Sequence, residues 1–121
     1  MKPSTVLIVD DSRVSRMLTR QHITVRHADW VIEEAANGND ALVIARDLQP
    51  DLVLLDVNMP GMNGVDAAAA LREMLPNAHI SLLTANVQAA TRQRAEAIGV
   101  GFMEKPITAE RIAQLIAPLE A

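Results

Sequence analysis

The sequence predicts an α/β chain: a doubly wound parallel sheet of five strands with helices packed on both faces. Three observations point there. Short β-branched apolar runs alternate with longer stretches of helical periodicity. Two of those runs, residues 6–9 (VLIV) and 52–55 (LVLL), are apolar throughout, the mark of strands covered on both sides. Turn and cap residues punctuate the chain in strand-then-helix order five times, the pattern of right-handed βα units.

Residues 6–9 form the first strand, stopped by Asp10-Asp11-Ser12, where Asp11 or Ser12 caps the next helix. In that helix Val14, Met17, Leu18, Gln21 and Val25 recur at helical spacing. Residues 30–35 read as a second strand, at a sheet edge because Glu33 and Glu34 interrupt it. Asn37-Gly38-Asn39 is turn chemistry, and a helix follows over 40–48, with Ala41, Leu42, Ile44 and Ala45 inward and Pro50 closing it. The third strand, 52–55, ends in Asp56, and residues 59–64 (MPGMNG) make a loop. An Ala-rich helix over 65–75 ends before Pro76, and residues 80–84 form the fourth strand. Residues 88–98 form a polar helix closed by Gly99. Residues 100–104 are a short fifth strand, broken by Lys105-Pro106, and Thr108 caps a last helix reaching about residue 115.

Composition narrows the function. The 121 residues suit one domain, and no output domain is expected beside it; a chain of this size buries roughly two-thirds of its unfolded surface. Half the residues are hydrophobic, which excludes a disordered chain, and the lack of cysteine excludes thiolate and disulfide chemistry. A net charge of −4 lacks the basic footprint of a nucleic-acid binder, and two aromatic residues, Trp30 and Phe102, make no stacking platform. No apolar run approaches the roughly 18 residues of a membrane span, and VLIV is too short for a secretory signal. The expectation is a soluble cytoplasmic protein.

The polar residues fall at strand ends. Asp10 and Asp11 follow strand one, Asp56 strand three, Thr84 closes strand four and Lys105 follows strand five. In a parallel sheet those termini share one rim, where ligands bind. Three carboxylates do not gather unaided: two unit charges about 5 Å apart at an effective dielectric of about 20 repel by on the order of 3 kcal/mol. Either their pKa values rise or a cation joins them. All-oxygen ligation favours a hard ion, Mg²⁺ or Mn²⁺. A carboxylate beside such an ion is a nucleophile toward phosphorus, and the ion, an ammonium and a hydroxyl then meet the phosphoryl oxygens.

VLIVDDS, LVLLDVNMPGMNG, LLTAN and FMEKP, in that order, resemble the receiver domain of two-component response regulators, most of all its single-domain CheY-like members. The resemblance spans about residues 5–115. It implies a flavodoxin-like three-layer α/β/α fold with strand order 2-1-3-4-5. It implies that residues 1–121 form one phosphorylation-controlled switch, self-phosphorylating with a phosphodonor, slow to dephosphorylate, and not an enzyme of turnover. By position, Asp56 matches the phosphoacceptor. Asp10 and Asp11 match the acidic pair holding Mg²⁺, Asp11 directly and Asp10 through water, with the Asn58 carbonyl as a further ligand. Thr84 and Lys105 match the switch hydroxyl and the phosphate-binding lysine, and Phe102 the switch aromatic. The Lys105–Pro106 bond is expected to be cis. Asn58 and Asn86 occupy positions that vary in the family and influence dephosphorylation. The implied partners are a sensor histidine kinase or His-containing phosphotransfer protein and a downstream protein met by the face of strands four and five with helices four and five. Neither nucleic acid nor membrane is a partner, and the protein is a monomer or a weak dimer through its last helices.

A haloacid-dehalogenase-type phosphatase shares the residue types but not their order, since there the nucleophile comes first and the acidic pair last. A phosphate-independent interaction module would not need all five polar residues, and VDDSRVS offers two acids where a flavodoxin wants a hydroxyl-rich phosphate loop. His22, His27 and His79 have no ligand spacing, Met59 and Met62 read as packing residues, Trp30 as a boundary residue, and Arg92-Gln93-Arg94 as a solvated helix face.

Overall fold

The computed structural model describes residues 3–120. Ten elements alternate along the chain: β1 (Thr5–Val9), α1 (Arg13–Arg26), β2 (Val31–Ala35), α2 (Gly38–Leu48), β3 (Leu52–Asp56), α3 (Gly64–Met74), β4 (His79–Thr84), α4 (Ala89–Ile98), β5 (Gly101–Glu104) and α5 (Ala109–Glu120). All pairings are parallel, in the order β2-β1-β3-β4-β5. This is the expected doubly wound sheet, with β2 at an edge as its two glutamates foretell.

Side-chain alternation divides the core in two. Leu7, Val9, Val53, Leu55, Ile80 and Leu82 face α2, α3 and α4, which contribute Ala41, Ala45, Ala68, Leu71 and Ala95. Val6, Ile8, Leu52, Leu54 and Leu83 face α1 and α5, met by Ile23, Ile112 and Ile116. The small residues of α2 and α3 let those helices lie close to the strands. Helix starts follow local chemistry: Ser12, Asn37 and Asn63 each accept a hydrogen bond from a backbone N–H in the first turn. No helix among the described residues is long and apolar enough to cross a membrane.

Three sequence expectations need correction. The stripe on α1 does not face the sheet: Val14, Met17, Leu18 and Val25 are 60%, 55%, 46% and 82% exposed. The buried residues of α1 are Thr19 and Ile23, and Thr19 satisfies its hydroxyl by donating to the Ser15 carbonyl at 2.9 Å. Helix α5 runs to Glu120, through Pro118, rather than stopping near residue 115. Its end is tied to α1 by Glu120, which meets His27 and Arg26, and His27 stacks on Trp30 at 3.9 Å between centroids. Helix α2 begins at Gly38, two residues before Asp40, because the Asn37 side chain caps it by accepting the Asp40 N–H.

Candidate functional site

The register explains how residues distant in sequence meet. Val9 lies beside Leu55, Asp56 beside Leu83, and Thr84 beside Glu104. The ladder continues one step past the strands, with Asp10 N–H donating to the Ala35 carbonyl, Val57 to Leu83 and Lys105 to Thr84. Strand order reverses around β1, so Asp10 and Asp56 end neighbouring strands at the crevice that doubly wound sheets use for ligands.

Asp10 is buried and fully engaged. Its Oδ1 accepts the Ser12 N–H at 2.9 Å, and its Oδ2 accepts both the Ser15 hydroxyl at 2.7 Å and the Lys105 ammonium at 2.8 Å. Burial pushes its pKa up, but those hydrogen bonds and the Lys105 charge outweigh it and hold the carboxyl below its ordinary value. Asp56, also buried, shifts the other way. Burial raises its pKa most. Lys105 opposes that from 3.7 Å, while the charges of Asp10 and Asp11 add to it. Asp56 accepts a long hydrogen bond from the Asn58 N–H, at 3.3 Å. Asp11 is exposed and accepts no hydrogen bond among the described residues.

One oxygen each from Asp10, Asp11 and Asp56 lie within 4.8 Å of one another. Three carboxylates thus gather beside one ammonium, which pairs with Asp10 and Asp56, and burial keeps the Asp56 pKa raised despite it. The cluster could hold a metal ion, and its all-oxygen donor set fits a hard divalent cation. Asp11 and Asp56 have free oxygens to offer, whereas both Asp10 oxygens already accept donors.

Thr84 is buried at the end of β4, and its hydroxyl donates to the Asn86 carbonyl and accepts the Asn86 N–H, both at 3.1 Å. No hydrogen bond joins it to Asp56 among the described residues. Phe102 is half-buried on β5, opposite Leu82, against the core under α4. The Lys105–Pro106 bond is cis. The loop positions of Asn58 and Asn86 place their side chains in solvent. The Arg92–Arg94 stretch is more than a solvated face: the Arg92 guanidinium sits 5.4 Å from the Phe102 centroid, and Arg94 pairs with Asp66 on α3 at 2.9 Å.

Sequence reasoning missed three residues that hold this rim. Ser15, three residues beyond the cap Ser12, orients the Asp10 carboxylate. Arg16 donates to the Asp10 carbonyl at 2.7 Å while pairing with Glu34 at 3.0 Å, so β2 braces the turn that carries the acids. Gly64 packs directly on the backbone of Asp56, where a Cβ would lie 2.2 Å from its carbonyl oxygen. The hydroxyl in the first helical turn was a usable signal for Ser15; Arg16 and Gly64 depend on contacts across the fold.

Beside Lys105 lies an open groove of about 480 Å³, lined by Val14, Ser15, Leu18, Ala85, Pro106 and Ile107 among others. It runs on to the exposed apolar side of α1.

The chain matches the family model described as response regulator receiver domain over residues 6–117. It is 38% identical over 114 residues to the chemotaxis protein CheY of Thermotoga maritima, covering 92% of both chains. It is 43% identical over 72 residues to the nitrate/nitrite response regulator NarL of Escherichia coli (strain K12), covering 60% of this chain and 33% of NarL, so it spans about a third of that relative. Among solved structures, it resembles a response regulator of Burkholderia pseudomallei that contains a phosphorylated aspartic acid, a calcium ion and citrate. That match has a TM-score of 0.84 and 25% identity over 98% of this chain and 73% of the other.

Proposed function

The chain belongs to the response regulator receiver domains, and from that premise we propose that it is a phosphorylation-controlled switch whose phosphoacceptor is Asp56. The carrying observation is geometric: three carboxylates lie together beside the Lys105 ammonium, and Asp56, buried at the end of the central strand, has an oxygen free to react. The aspartyl phosphate of the Burkholderia relative supports the same chemistry at Asp56.

In this reading an Asp56 carboxylate oxygen attacks phosphorus in line. The O–P bond forms as the donor's P–N bond breaks, and the electron pair leaves on the imidazole nitrogen of a phosphohistidine. Asp11, Asp56 and the Asn58 carbonyl would hold Mg²⁺, with Asp10 supporting them from behind; Mn²⁺ would be an acceptable substitute. Bound there, the ion would supply charge neutralisation for the attacking carboxylate and the transferring phosphoryl group. Lys105 exchanges part of its hold on Asp10 for the phosphoryl group, and Thr84 exchanges Asn86 for a phosphoryl oxygen. Phe102 then moves into the space Thr84 leaves, and the face of β4, α4, β5 and α5 changes its preference for a downstream protein. Such a partner must bind the two states unequally for the switch to act. Self-dephosphorylation is expected to be slow, and Asn58 and Asn86 stand at the positions that influence its rate. The test is Mg²⁺-dependent labelling by acetyl phosphate, read as the mass gain of one phosphoryl group. No gain in the presence of both reagents would overturn the reading.

Two expectations follow from the site. Magnesium stabilises the fold by binding only the folded chain, by about 1.4 kcal/mol at ten times Kd. Thermal unfolding should show that gain in the wild type and less than half of it in Asp11→Asn; an equal gain in both would remove Asp11 from the ligand set. The donor is a histidine kinase or phosphotransfer protein, and the apolar side of α1 beside the Lys105 groove offers it a seat within reach of Asp56. Leu18→Glu should therefore slow phosphotransfer from the protein donor about 10-fold or more, since a buried interface charge costs at least about 1.4 kcal/mol. Labelling by acetyl phosphate should be unchanged. Equal slowing with both donors would place the effect in the site instead.

A further inference from the structure

Helix α4 buries fewer residues than any other helix among the described residues. It buries only Ala95, and its N-cap residue Gln88 makes no side-chain capping bond. Two arginines, separated by one residue, tie it down in different directions. Arg94 reaches α3 through Asp66, with both side chains more than half exposed, an arrangement of little energetic weight. Arg92 reaches β5, where its guanidinium covers the face of Phe102. The side chain beneath Arg92 is the one assigned above to move when Asp56 is phosphorylated. Thr84 is held at the same time by Asn86, so both members of that pair have their own restraint.

We propose that Arg92 is a positioning residue for the switch: its stacking on Phe102 holds the ring in the conformation seen here and so sets the balance between resting and activated states. The inference rests on the reading of Phe102 and Thr84 as the moving pair. A cation over an aromatic face at a partly exposed site biases a two-state equilibrium about two- to five-fold. By linkage, any ligand that requires the ring to leave must work against that bias, and removing Arg92 returns it as affinity. Charge and the planar stack both contribute, and lysine retains the cation without the planar group that stacks.

The chain has one Phe and no Tyr, so biosynthetic labelling with 4-fluorophenylalanine places a single fluorine resonance on Phe102. In magnesium, beryllofluoride as the phosphoryl mimic should move that resonance in the wild type. Without beryllofluoride, Arg92→Gln should already displace it part of the way in the same direction and should bind beryllofluoride about two- to five-fold more tightly. Arg92→Lys should fall between. Arg94→Gln, which loosens α4 without touching the ring, should leave the resting resonance in place. A wild-type resonance that beryllofluoride does not move overturns the switch reading and the proposal with it. A wild-type resonance that moves, with Arg92→Gln unchanged in both shift and affinity, overturns the Arg92 assignment alone. An equal displacement in Arg94→Gln assigns the effect to helix looseness and also overturns it.

Discussion

Asp56→Asn is expected to abolish phosphoryl incorporation, by more than about 10³-fold, while making the fold more stable near neutral pH. The first half follows from removing the nucleophile: an amide does not form the acyl phosphate, and Asp10, with both oxygens engaged, is no substitute. The second half follows from the sign of the pKa shift. Burial, with the charges of Asp10 and Asp11, raises the Asp56 pKa in the folded state despite Lys105. The folded chain therefore holds the Asp56 proton more strongly than the unfolded chain does. The favourable contribution is fully present below the unfolded pKa, near about pH 4, and is lost as pH rises through the folded value. Asn stays neutral throughout, so the variant's advantage should appear at neutral pH and vanish in acid. Asp10→Asn should behave oppositely. The Asp10 pKa is lowered in the fold, so its contribution exists above the unfolded pKa and is lost as pH falls through the folded value. Denaturant titrations at several pH values, without metal, check both signs. Persistent labelling of Asp56→Asn would remove Asp56 from the role. A variant less stable than wild type at pH 7 would contradict the electrostatic account.

Gly64→Ala is expected to be the most damaging single methyl in the molecule. A Cβ there would stand 2.2 Å from the Asp56 carbonyl oxygen and 2.6 Å from Val57 Cα, and both are backbone. The Gly64 N–H also donates to the Val57 carbonyl at 2.9 Å, so the start of α3 and the end of β3 are locked together. Relief requires moving a helix or a central strand, and overpacking against rigid neighbours costs about 3 kcal/mol or more. The melting temperature should fall on the order of 10 °C. Any folded variant should also accept phosphate poorly, because the displaced backbone carries Asp56. Gly61→Ala is the control: its φ of 80° disfavours a side chain but nothing lies within 4 Å, so the cost should be about 1 kcal/mol. Thermal unfolding by circular dichroism separates the two. A Gly64→Ala protein melting within about 2 °C of wild type would show that the close approach relaxes freely.

These two sites differ in how they could have been found. Asp56 stands at the end of an unbroken apolar strand, and the parallel pattern alone brings it beside Asp10, Thr84 and Lys105. Gly64 looks like one more turn residue in MPGMNG, and only the seating of α3 on β3 shows that no other side chain fits. Arg92 likewise reads as a polar helix residue until α4 is placed over β5.

What the chain order and residue types decided by themselves are the βα alternation, the doubly buried strands and the chemistry of the rim. Each follows from local rules: side-chain period, capping, and the need to end an apolar strand in something polar. The tertiary structure alone decided which stripe of α1 faces inward, how Arg16 and Glu34 brace Asp10, and which arginine covers Phe102. A helix that carries two plausible faces chooses between them by what the sheet and its neighbours leave room for. An ion pair between residues 18 apart exists only once strand register has been set.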